Sequence, residues 1–212
     1  MNNIKKIILA AVIIALIYLF ARYYGRYLFR KRIVKLALKE HDKFGKGVFK
    51  ESDKEMQPYI AEYWAKGLNM KPQSPTGVPW SAAFVSYIMR MAGSDKDFNY
   101  SQRHSTYIRW AINNLKTGKG LFKAYQPKTK PLQIGDLVCY ARQSGINYDT
   151  GTDYDSHCDI ITSINKKTGT AIGIGGNVSN SVSRTNYTID KNGHITTSKI
   201  FAVIKPSKNA LI

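Results

Sequence analysis

Residues Ile7–Ala21 (IILAAVIIALIYLFA) form an unbroken apolar run of 15 residues near the start of the chain. No packed domain of this size easily absorbs such a run, so it divides the chain before anything else is read. As a helix it is about 22 Å long, short of the roughly 30 Å hydrocarbon core of a bilayer. Arg22 can snorkel and Tyr23, Tyr24 and Tyr27 suit the interface, so the run can still span as a single-pass anchor. Lys5 and Lys6 also fit the n-region of a cleaved signal peptide. The residues around Ala21 offer no small-x-small cleavage site, which favours an uncleaved signal anchor. A buried core helix is the third reading, weakened by the basic cluster that follows at once.

Charge constrains the partners. Residues 1–32 carry Lys5, Lys6, Arg22, Arg26, Arg30, Lys31 and Arg32 and no acid. The other 180 residues hold 25 basic and 14 acidic side chains, a net +11. Such a domain is attracted to polyanions: nucleic acid, anionic lipid or anionic wall polymer. No helix-turn-helix pattern, aromatic RNA motif or zinc finger points to specific nucleic-acid binding. By the positive-inside rule, two lysines and the amino terminus oppose five basic residues after the run, which taken alone keeps the domain in the cytoplasm.

The remainder reads as helices followed by strands. Ile33, Leu36, Ala37 and Phe44 have helical spacing, so residues 33–54 read as a linker helix after a 1–32 anchor. Residues 55–212 read as the domain. Ser52 and Glu55 have capping-box spacing, or Pro58 opens the next helix. Tyr59, Ile60, Tyr63 and Trp64 form its apolar stripe. Residues 71–79 hold three prolines and are a loop. Ser81–Gly93 (SAAFVSYIMRMAG) is apolar nearly all round and predicts a buried central helix. A further helix is expected over 103–115. The period then shortens: residues 132–141 read as a turn followed by a strand, further strands are expected over 157–164, 171–174 and 200–204, a hairpin loop lies at 165–169, and Asn192-Gly193 marks a tight turn between 187–189 and the segment from 195 onward. Helices first and antiparallel hairpins second make the fold class α+β.

Chemistry concentrates in few places. Pro79-Trp80 delivers Ser81 to a helix start, where free N–H groups and the helix dipole favour an oxyanion. His157 opens a strand. Asp159, two residues on, faces the same side. Asn177 follows Gly175-Gly176. Each has a plain alternative: Ser81 as an N-cap, His157 as a satisfied structural histidine, Asn177 as a turn residue. His104 is either part of the substrate site or a surface histidine at a helix start. The two cysteines, Cys139 and Cys158, sit in expected strands. They are read as buried free thiols, a disulfide requiring neighbouring strands and an oxidising compartment. No metal or cofactor is expected: Asp149, Asp153 and Asp155 lack the pattern of a calcium loop, and the GIGG stretch lacks that of a phosphate loop.

The order PWSAAFV, GDLV, SHCDIIT, IGGN resembles the papain-like cell-wall hydrolases, the NlpC-like and CHAP amidases and endopeptidases. It covers roughly residues 55–205 and looks most like a bacterial branch with Ser where the family has its catalytic Cys. The resemblance implies a papain-like domain that hydrolyses amide bonds in peptidoglycan. Ser81, His157 and Asn177 or Asp159 would be catalytic, and Trp80, His104 and Tyr107 would line the substrate site. The domain would then lie outside the cytoplasmic membrane. A serine needs a general base during attack, where a thiol can ionise in advance. The same residues therefore also fit an inactive module that binds wall peptide or a protein partner.

Overall fold

The computed structural model describes residues 3–208. The apolar run and the expected linker helix are one element, α1 (Asn3–Lys43), about 60 Å long at the α-helical rise. The expected boundary at residues 32 and 33 falls inside it. Its two halves meet different surroundings. From Ile4 to Phe20 the apolar side chains are exposed, and the most apolar 18-residue window has a mean hydropathy of 2.4 with none of it buried. The helix is therefore long and apolar enough to cross a membrane. Further on, Phe29, Ile33, Ala37 and Phe44 are completely or almost completely buried. Their spacing of four, four and seven keeps one face of the helix on the domain.

That second half belongs to the core. Phe29 meets Phe122 edge-on at 6.1 Å between ring centroids, and Phe44 packs against Trp80 at 5.9 Å. Glu40 accepts from the hydroxyl of Tyr63 at 2.8 Å. His41 Nδ1 is 2.8 Å from the carbonyl of Val182, where only a protonated nitrogen can bond. Arg30 donates to Asp136 Oδ1 at 2.6 Å and to the carbonyl of Pro206 at 2.7 Å, tying α1 to two strands. Lys205 holds the other oxygen of Asp136.

Three more helices follow: α2 (Gln57–Leu68), α3 (Ser81–Met91) and α4 (His104–Thr117). The capping box at Ser52 and Glu55 does not form. Met56 precedes α2 without a side-chain cap, and Pro58 lies in the first turn, where a missing N–H costs nothing. α3 is buried on nearly every side, as its composition requires.

Six strands complete the α+β order: β1 (Phe122–Tyr125), β2 (Leu137–Ala141), β3 (Ser156–Asn165), β4 (Thr170–Val178), β5 (Ser181–Thr188) and β6 (Ile200–Pro206). They form one antiparallel sheet in the order β1-β6-β2-β3-β4-β5. One face carries Phe122, Leu137, Cys158, Ile160 and Ile174 into the helical core. The other carries Val138, Ile161, Tyr187 and Val203 into a smaller core closed by Ile189 and Ile195. β1 and β5 carry too many polar residues for periodicity to mark them: Lys123 and Tyr125 on one, Arg184 and Asn186 on the other.

The cysteines are not free. Cys139 and Cys158 are paired across β2 and β3 with a Cα–Cα distance of 4.2 Å, and their sulfurs form a disulfide. Strand register, invisible in a single strand, puts them in the closely spaced type of antiparallel pair.

Two outcomes test this account. A chain beginning at residue 25 should fold, whereas one beginning at residue 33 loses Phe29 and the Arg30–Asp136 pair. Burying the phenyl ring alone contributes about 2 kcal/mol, so the shorter chain should melt clearly lower by circular dichroism. Reducing the disulfide, which closes a loop of 19 residues in separation, should cost about 3 kcal/mol in denaturant titrations.

Candidate active site

α3 starts where the loop after α2 runs into the core. Trp80, the residue before it, is wholly buried, and its indole N–H donates to Glu51 at 2.8 Å. It also stacks near Phe44 and Tyr63. Trp80 therefore anchors the helix start from behind rather than lining a groove. Ser81 is the first residue of α3 and does not cap it. Its hydroxyl instead meets His104 Nε2 at 2.7 Å. The opening N–H groups of α3 have no intrahelical partner and point to the same end.

His104 opens α4 and is nearly buried, so it is not a surface histidine. Its other ring nitrogen is hydrogen-bonded to the hydroxyl of Tyr107, one turn along. Burial, then the nearby His157 and Arg142, hold the His104 pKa well below that of a free histidine. Burial, then the charge of Asp159, raises Tyr107 well above the usual tyrosine range. At neutral pH the pair is an uncharged imidazole and an intact phenol. With the ring proton on Nδ1 and donated to Tyr107, Nε2 can take a proton from Ser81.

A second pair lies behind the first. The His157 ring is 5.1 Å from that of His104. Arg142 Nη2 donates to His157 Nδ1 at 3.3 Å. A guanidinium can only donate, so Nδ1 accepts and the ring proton sits on Nε2. Nε2 then donates to Asp159 Oδ1 at 2.7 Å. Tyr187 donates to the other oxygen of Asp159. Burial pushes the Asp159 carboxyl up, but the adjacent His157 with its hydrogen bond, and the bonds from Tyr187 and Thr185, outweigh it, leaving it below the usual range.

The two glycines of the IGGN motif make room for all this. A Cβ on Gly175 would fall 1.9 Å from Asp159 Oδ1 and 2.8 Å from His157 Nε2. A Cβ on Gly176 would fall 2.5 Å from Phe84 of α3 and 2.9 Å from Trp80. β4 thus passes closer to the helix start than any side chain permits. Asn177 lies where the β4–β5 register shifts, in a left-handed conformation with φ 56°. Among the described residues its side chain bonds neither histidine. Asp136 is also away from the site: Tyr140, not Asp136, lies opposite His157 across β2 and β3.

Ser81 and His104 open onto a cleft of about 390 Å³. Sequence reasoning missed most of its lining. Trp64, Arg142, Tyr154 and Asp155 contribute, and only the fold brings them together. The Trp64 indole N–H is buried without a protein partner. Exposed Arg103, Arg142 and Asp155 give the cleft two cationic side chains and one anionic side chain near the serine.

The fold is α+β, with a buried Ser–His pair at a helix start. Residues 47–207 match a family described as an uncharacterized protein conserved in bacteria (DUF2272), and the chain belongs to that bacterial family. No curated protein and no solved structure matches it.

The histidine sets a pH window. Its folded pKa is depressed, so its contribution to stability is complete above the free-histidine value of about 6.5 and is lost as pH falls through the folded value. Thermal melts between pH 7 and pH 4 should fall more steeply for the wild type than for His104→Gln.

Proposed function

We propose that this protein is a membrane-anchored serine hydrolase that cleaves an amide bond in peptidoglycan, as an amidase or endopeptidase. The observation that carries the reading is the 2.7 Å contact between the Ser81 hydroxyl and His104 Nε2 at the mouth of the cleft. Ser81 Oγ attacks the carbonyl carbon and gives its proton to His104. The amine leaves with that proton, and an ester remains on Ser81. Water, deprotonated by His104, hydrolyses the ester and restores the serine. The first N–H groups of α3 face the oxyanion. Tyr107 orients His104. His157, held by Asp159 and Arg142, packs against that imidazole and excludes water from it.

The substrate class rests on the papain-like resemblance and on three features that suit it. The apolar half of α1 has no protein cover and fits a bilayer. The disulfide suits an oxidising compartment. The basic domain suits an anionic wall. These favour a single pass through the cytoplasmic membrane with the domain outside, against the positive-inside count. Arg30, one of the five residues in that count, is neutralised by Asp136.

A second reading has its own support: among the described residues no carboxylate contacts His104, whereas serine–histidine pairs work best when one stabilises the imidazolium. On that reading the cleft binds wall peptide without cutting it. Full-length wild type, Ser81→Ala, Ser81→Cys and His104→Gln would be incubated in detergent with isolated peptidoglycan, and soluble fragments identified by mass spectrometry. Release by wild type, with a loss of at least about a hundredfold in Ser81→Ala and His104→Gln, is expected. Wall binding without release by wild type would establish the binding module.

A further inference from the structure

A second cleft, of about 410 Å³, shares no lining residue with the cleft at Ser81 and lies where α1 passes from its apolar half into the domain. Five cations line it: Arg26 and Arg30 from α1, Lys123 from β1, Lys130 from the loop after it, and Lys205 from β6. One carboxylate answers them. Asp136 takes Arg30 on one oxygen and Lys205 on the other. Among the described residues Arg26, Lys123 and Lys130 have no acidic partner. Among the described residues the buried Arg26 Nε–H has no hydrogen-bond acceptor. Burial and the neighbouring Arg30 and Lys130 press Lys205 below the usual lysine range, although Asp136 opposes them. The cleft therefore holds more positive charge than the protein itself compensates.

Its depth identifies the source of the missing anion. Arg26 lies five residues beyond Ala21, about 7 Å along the helix, and the headgroup layer on each side of a bilayer is about 6 Å thick. Side chains on a helix lean toward its N-terminus, here toward the apolar half. Tyr23 and Tyr27, both exposed, flank the cleft on the side of α1 that faces lipid, where interfacial aromatics sit.

We propose that this cleft binds the phosphate of an anionic phospholipid headgroup from the leaflet at which α1 leaves the membrane. Arg26 supplies directed N–H donors to the phosphate oxygens, and Lys123 and Lys130 supply charge. Because Arg30 and Lys205 join the same cleft to the core, a bound headgroup would fix the domain's tilt on the membrane. The proposal rests on α1 crossing a bilayer and is independent of hydrolysis by Ser81.

The test uses the full-length chain in nanodiscs of equal phosphatidylglycerol and phosphatidylcholine, with retained lipid counted by native mass spectrometry. Wild type should keep phosphatidylglycerol preferentially. Arg26→Gln/Lys123→Gln/Lys130→Gln should lose that preference by at least about tenfold. Lys31→Gln/Lys35→Gln/Lys39→Gln, with the same charge removed from the same region outside the cleft, should keep it. Equal losses in both triple variants, or no preference in wild type, would overturn the site. In detergent, a melting shift produced by soluble glycerol phosphate but not by phosphatidylglycerol would overturn the lipid as its source. Failure of wild type to enter discs of phosphatidylcholine alone would overturn the membrane reading of α1, and the proposal with it.

Discussion

The passage of β4 across the start of α3 is the contact on which the site depends. Two consecutive glycines bring a strand backbone against Trp80 and Phe84 and leave space for the His157–Asp159 pair. Because the strand is so close, the first turn of α3 is held from behind by Trp80 and its bond to Glu51. Ser81, the first residue of that helix, meets His104. A side chain at Gly176 would push the strand off the helix, and one at Gly175 would drive into the His157–Asp159 pair.

α1 joins two solvents in one rigid element. Its first half is apolar without pattern, as a helix surrounded by lipid would be. Its second half presents one apolar face and places three charged or titratable side chains, Arg30, Glu40 and His41, in buried hydrogen bonds. Burying charges is costly unless each is paired, and these are paired with three separate parts of the domain. The consequence is that the second half of α1 is fixed to the domain at three points.

The two histidines differ in their partners. His104 touches the serine but has a phenol, not a carboxylate, behind it. His157 has the carboxylate but touches the serine's partner only through ring packing.

The α+β order, the buried helix at Ser81 and the four apolar strands were legible in the sequence, because hydrophobic period and turn residues report burial locally. The apolar half of α1 was legible for the same reason. Local pattern could not show that residues 33–43 continue α1 and enter the core, since Arg30, Glu40 and His41 look like surface residues until their partners are in place. It also could not show β1 and β5, whose polar faces hide the alternation, or the disulfide, which depends on register. Ser81, His104, Tyr107, His157 and Asp159 were each picked out as candidates from the chain. Their pairing was decided only by tertiary structure, because a hydrogen bond between a helix start and a helix 23 residues away depends on how α3, α4 and β3 pack, and no spacing along the chain encodes that distance.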